Sequence, residues 1–273
     1  MRPFDRRFAP LQGVVVAFLL AFITQAGFAQ SQPTSSLPPP VRDPQAIAVL
    51  QSAITALGGT SAVAAITDAT VVGTEQDVSN PGGPAATFTW QSAGSEFRFT
   101  TQNSNGPYIA LSGHGTPAQQ KQGNWLPWPY HVARTCQPFY LPAVALYAEL
   151  QDPNHTLTYV GPVTVNGNSA IKIHTFDASD KVGPLVTPQD WYFDPVSFLP
   201  LRVDYLFPYQ DDANHASPLS MGFANYQNVG GILVPYQLQL QLISASTVAT
   251  ITSATFNAGL SSSTFDPPSG GGQ

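Results

Sequence analysis

Apolar and polar positions alternate without a break through Tyr236, Leu238, Leu240 and Leu242 on one side and Gln237, Gln239 and Gln241 on the other. A period of two marks a β-strand with one buried face, because successive side chains leave a strand on opposite sides. Gly230-Gly231 precedes it, and two glycines between apolar runs predict a tight hairpin. A different period appears near the start. Ile47, Leu50, Ile54 and Leu57 fall at helical spacing on one face. Asp43 is placed to cap that helix, Pro44 occupies its first turn, and Gly58-Gly59 ends it. A second short helical turn is expected at 61–66. One apolar stripe requires a sheet to lie on.

From residue 69 the pattern predicts strands at 70–78, 87–92, 96–102, 108–112 and 119–123. Phe88 and Trp90 share one face, as do Phe97 and Phe99 with Arg98 opposite. Asn105-Gly106 reads as a hairpin turn. The alternation then stops. Residues 125–142 hold prolines, tryptophans and tyrosines without periodicity, followed by an apolar helix over 143–150. Such an insertion caps a core or covers a cavity. Strands resume at 156–159, 163–165, 170–176 and 189–193, and Leu199, Leu201, Val203 and Tyr205 alternate with polar partners after the Asp194-Pro195 turn. Many antiparallel strands with helices in two places predict an α+β protein.

Flanking segments read differently. Residues 1–29 combine Arg2, Arg6 and Arg7 with an apolar run and small residues before a cut after Ala29, the pattern of a secretory signal peptide. No cysteine follows the run to carry a lipid anchor. Residues 30–42 are a Pro/Ser-rich linker, 43–268 a single domain, and 269–273 a disordered tail. A periplasmic or secreted protein is expected, and a monomer.

Charge narrows the function. Of 273 residues, 10% are charged and the net charge is −6. No basic patch is present, which argues against nucleic acid. No cofactor fingerprint, nucleophile elbow or metal-ligand spacing is found, so neither a cofactor nor a metal is expected. Cys136 alone can make no internal disulfide and reads as a small buried hydrophobe. Ser112 with His114, and His131 with Cys136, are the pairs from which an exported hydrolase could be built. Asp211, Asp212 and Asn214 lack the glycine and terminal glutamate of a calcium loop.

The aromatic set carries more information. Trp90, Phe97, Phe99, Trp125, Trp128, Phe139, Trp191, Phe193, Tyr205 and Tyr236, with Leu201, Val203, Leu238 and Leu240 on the alternating strands, form either an ordinary core or the lining of a cavity. Burying an acyl chain is worth ~0.8 kcal/mol per methylene and needs no catalytic group. A lipid or other long apolar ligand is therefore the expected partner, an envelope protein the alternative.

The helix DPQAIAVLQSAITALGG, the segment WYFDPVSFLPLRVDY, the hairpin FANYQNVGGILVPYQLQLQL and the ending ITSATFNAGLSSSTFDPP resemble, in this order, the LolA/LolB-like lipoprotein-carrier superfamily, which includes RseB-type sensors. The resemblance spans most of 43–268. It implies a large curved antiparallel sheet, an incomplete β-barrel, wrapped around the N-terminal helix and the central helical insertion. It also implies a non-enzymatic carrier of lipid or lipoprotein acyl chains, or a cell-envelope sensor or scaffold. Arg98 is a candidate polar contact. The chain departs from the pattern in its length and in its proline- and tryptophan-rich insertion, and it lacks the lipobox cysteine of membrane-anchored acceptors.

Overall fold

A computed structural model describes Leu37 and residues 39–103, 106–121, 123–136, 138–241 and 245–267. The expected signal peptide, most of the linker, Asn105, Leu242 and the tail lie outside these residues.

Helix α1 (Pro44–Ala56) begins as its sequence requires. The Asp43 carboxylate accepts the Gln45 N–H at 2.8 Å and Pro44 stands in the first turn. Leu50, Ile54 and Leu57 are buried, and Ile47 packs on the same core. Gly58 and Gly59 follow with φ of +138° and +90°, values open to glycine at little cost. Gly58 also touches the sheet: a Cβ there would sit 2.5 Å from the Gly231 carbonyl oxygen. The short helix α2 (Thr60–Ala64) comes next.

The strands before the insertion are β1 (Ala69–Asp77), β2 (Ala86–Ala93), β3 (Glu96–Asn103), β4 (Gly106–Gly113), β5 (Thr116–Lys121) and β6 (Asn124–Pro127). Then come α3 (Tyr130–Ala133) and α4 (Pro142–Gln151). The second run is β7 (His155–Val165), β8 (Asn168–Asp177), a helical turn α5 (Gly183–Val186), β9 (Gln189–Phe193), β10 (Pro200–Pro208), β11 (Ala216–Val229), β12 (Ile232–Gln241) and β13 (Ser246–Phe256). Two expectations need correction, and one element was not foreseen. The stretch 125–127 pairs with β5 as a strand instead of coil. The runs 156–159 and 163–165 are one strand, interrupted by a bulge between Tyr159 and Gly161, where φ is +116°. The turn α5 had no apolar periodicity to announce it.

All the strands join in one antiparallel 13-stranded sheet, ordered β6-β5-β4-β3-β2-β1-β13-β12-β11-β10-β9-β8-β7, that curves without closing. Each run is a meander of sequence neighbours, and β1 pairing with β13 welds the two. The free edges are β6 and β7, which are neighbours in sequence. Everything that joins them, residues 128–154, therefore has to cross the open side of the half-barrel. This is why the proline-rich insertion sits where it does. The concave face carries Val71, Phe88, Trp90, Trp191, Phe193, Val203, Phe223, Leu238 and Ile251, packed with α1 and α4 into one core. Gln237 and Gln239 face solvent on the other side, as the alternation requires.

The β7 edge is not bare. Leu157 donates its N–H to the Val41 carbonyl at 2.7 Å and accepts the Asp43 N–H at 2.9 Å. The Arg42 guanidinium reaches the carbonyls of Leu150 (2.5 Å), Asp152 (2.6 Å) and His155 (3.1 Å), tying the end of α4 to the start of β7. Among the described residues no helix is long and apolar enough to cross a membrane.

Candidate apolar ligand cleft

Two aromatic walls stand on the concave face. The first comes from β2 and β3. Trp90 stacks on Phe97 with ring centroids 5.2 Å apart, and Phe88 and Phe99 lie alongside. The second comes from β9, β10 and β11. Trp191 stacks on Phe223 at 5.9 Å and neighbours Phe193, and Tyr205 stands next to them. Period-two strands put these rings on one face, and antiparallel register puts them side by side.

Adjacent insertion residues serve both walls. Phe139 meets Tyr205 at 4.7 Å and Trp191 at 5.9 Å. Tyr140 meets Phe88 at 5.1 Å, Trp90 at 5.6 Å and Phe99 at 6.2 Å. Trp128 caps Phe97 edge-on at 6.1 Å. The interior between the walls is thus largely filled by the insertion's own rings. Most of the expected lining residues belong to this packing. Trp90, Phe97, Trp128, Phe139, Trp191, Phe193, Val203 and Leu238 are buried, while Phe99, Tyr205, Tyr236 and Leu240 are half-buried against the same core. Leu201 is half-buried but lines a groove with Gln237 and Gln239 instead. Trp125, on the edge strand β6, is half-exposed and stands apart from them. Phe88 and Phe223 belong to the same two walls. The spacing Phe88-x-Trp90 carries the signal for the first, and Phe223 is legible only once it is paired opposite Leu238.

A cleft of about 430 Å³ opens beside the first wall, between the β2–β4 hairpins and the α3–α4 segment. Trp90, Phe97, Cys136, Pro138, Val144 and Ala148 give it an apolar floor and side. Its rim is polar but paired. His114 Nδ1 contacts the Asp266 carboxylate at 3.0 Å, and that hydrogen bond raises the imidazole pKa. Arg134 is clamped by Asp177 and by Asp180, the latter at 2.8 Å. Both Trp90 and Trp128 bury an indole N–H that has no acceptor.

The candidate nucleophiles are placed poorly for catalysis. Burial pushes the Cys136 thiol up to about 12, far from the thiolate a nucleophile requires. His131 points its Nε2 at the Tyr209 carbonyl, 2.8 Å away. His114 is engaged with Asp266 at an exposed turn with φ of +50°. Arg98 is a clamp: it donates to the Thr264 carbonyl at 3.2 Å and holds the last 3-10 turn, Ser262–Phe265. Asp212 accepts from the Asn214 N–H at 2.8 Å and closes its own loop.

No protein-family model matches the sequence, and no curated protein matches it. Solved structures do. A LolA superfamily protein from Nitrosomonas europaea superposes with a TM-score of 0.52 at 9% identity, over 81% of this chain and 97% of the other. A domain named for outer-membrane lipoprotein sorting, from Vibrio parahaemolyticus, gives 0.51 at 14% identity, over 81% and 95%. A DUF1329 family protein from Desulfovibrio piger gives 0.50 at 13% identity, over 80% and 96%. The chain shares its fold with these three structures. At these identities the likeness is one of architecture. Within the LolA-type fold, this chain closes its half-barrel with Phe139 and Tyr140, and its cleft lies where that closure meets β2 and β3.

Proposed function

We propose that the protein is an exported, non-enzymatic binding protein that holds a lipid or other long apolar ligand between the curved sheet and the 128–151 segment. The observation that carries this reading is the aromatic cleft itself, about 430 Å³ with an apolar floor and a polar rim, within the ~300–1,000 Å³ range of small-molecule sites. It is walled by the Trp90–Phe97 stack and covered by side chains of the connecting segment. A LolA-type architecture, shared with a domain named for lipoprotein sorting, supports the reading. Because Phe139 and Tyr140 fill the interior, an acyl chain enters by replacing their contacts with its own. Each methylene buried contributes ~0.8 kcal/mol towards that exchange. The test is to express the full chain in a Gram-negative host, purify it from the periplasm and extract it for lipid mass spectrometry. A stoichiometric acyl species is expected. An empty extract, together with no uptake of a fluorescent fatty acid, would sink the reading.

A second reading, a cell-envelope sensor or scaffold, draws on the outer sheet face. A groove of about 610 Å³ there is lined by Asn166, Asn168, Gln237, Gln239 and Gly222. Pull-down from envelope extract that enriches no partner would count against it.

A further inference from the structure

The cleft contains a chemical clue to its ligand. Trp90 is 4% exposed, forms part of the cleft wall, and its Nε1–H has neither water access nor an acceptor. Trp128, on the far side of Phe97, has the same defect at 5% exposure. An indole nitrogen can only donate. Buried donors in folded proteins are nearly always satisfied, so an orphan asks for an explanation. Two of them flank the same phenylalanine. Of the two, Trp90 lines the cleft, and whatever completes it has to bring an oxygen that accepts without needing to donate.

The rim then decides the charge of that ligand. The charged side chains that line the cleft are Glu96 and Asp177 against Arg134 and His114. Both of the basic groups are already engaged, Arg134 by Asp177 and Asp180 and His114 by Asp266. A carboxylate or phosphate headgroup would have to compete with those carboxylates for its partners, whereas a neutral ester would not.

We propose that the cleft binds a neutral acyl ester, with an ester oxygen accepting the Trp90 indole N–H and the hydrocarbon lying along Pro138, Val144 and Ala148. This deepens the apolar-ligand reading and rests on it. Since the N–H is out of reach of water, the ester meets it when the side chains packed around Trp90 give way, and Tyr140 is the one of these carried by the connecting segment. Trp90 thereby sets specificity between acyl compounds of equal chain length.

The experiment displaces the fluorescent probe N-phenyl-1-naphthylamine from the full chain with methyl decanoate, decanoate at pH 8, and 1-decene. In the wild-type protein methyl decanoate is expected to compete best. Trp90→Phe removes the donor and substitutes a smaller ring, so 1-decene, which accepts no such hydrogen bond, measures the change in packing alone. Methyl decanoate should lose about 3- to 10-fold more affinity than 1-decene, the worth of one neutral hydrogen bond. Thermal melting verifies that the variant is folded. Decanoate binding as tightly as the ester, or an ester that loses no more affinity than 1-decene on Trp90→Phe, overturns this inference while leaving the apolar-ligand reading in place. Failure of probe and all three competitors to bind the wild-type protein overturns both.

Discussion

At the scale of single residues the most informative side chain is Glu149. It lies on α4, 2% exposed, with Oε2 unpartnered and Oε1 3.3 Å from the Trp191 indole nitrogen, which also donates to Gln189 at 2.9 Å. Burial raises its carboxyl pKa. A raised acid in the folded state binds its proton more tightly than the unfolded chain does. The stabilisation is therefore full below the unfolded value of 4.5 and is lost as pH rises through the folded value. Glu149→Gln keeps an acceptor for Trp191 and cannot ionise. Its melting temperature should exceed that of the wild-type protein at pH 8, and the gain should disappear at pH 4. A gain of equal size at both values would contradict the account. Arg42 makes the opposite case, a charge that satisfies three carbonyls at once. Arg42→Ala should cost about 1.5–3 kcal/mol in urea denaturation, the range for hydrogen bonds to a charged group.

At the scale of elements, much of the order is local chemistry. The cap at Asp43, the alternation in β12 and the positive-φ pair Gly230 (+60°) and Gly231 (+94°) need only neighbours in sequence. The helix and the hairpin nevertheless meet. The Leu233 N–H donates to the Leu57 carbonyl at 2.8 Å, so the end of α1 is fastened to the start of β12. Gly58 lies in that joint with backbone on both sides. Gly58→Ala places a Cβ against the Gly231 carbonyl and forces a positive φ on a residue with a side chain, which costs roughly 1–2 kcal/mol before the clash is counted. A destabilisation of about 2 kcal/mol or more is expected by chemical denaturation, whereas Gly59→Ala, with open space around it, should show only the φ cost.

For the whole molecule, the decisive feature is that the edge strands β6 and β7 are joined by a segment that packs with α1 on the concave side. Between 130 and 141 the segment's backbone hydrogen bonds are local ones, spanning three or four residues, and it lacks the cross-strand pairing of the sheet, so it belongs to the low-stability end of the structure. In hydrogen exchange, amides of 130–141 should exchange faster than those of α1 and β12. A bound acyl ligand should slow exchange at 139–141 and leave β10–β13 unaffected. Uniform protection across the segment and the sheet in the unliganded protein would instead indicate a permanently closed interior.

Strand faces, the α1 cap, the β11–β12 turn and the scarcity of charge were legible in the chain because each depends on residues a few positions apart. So was the aromatic character of the site, since Phe88, Trp90, Phe97 and Phe99 fall on one face by period alone. The sequence could not show that Phe139 and Tyr140 serve different walls, that Trp125 stands apart, or that Arg98 holds the last turn. Nor could it show the split of 155–165 to be false. Those outcomes depend on which strand lies beside which, and register is a long-range property: β1 meets β13 across most of the chain. The same reason hides the orphan donors of Trp90 and Trp128. Sequence alone determined that these rings would be buried. Only the tertiary structure decided that their N–H groups would be buried without an acceptor, because satisfying a donor depends on the groups that packing brings within 3.5 Å or so, not on its neighbours along the chain.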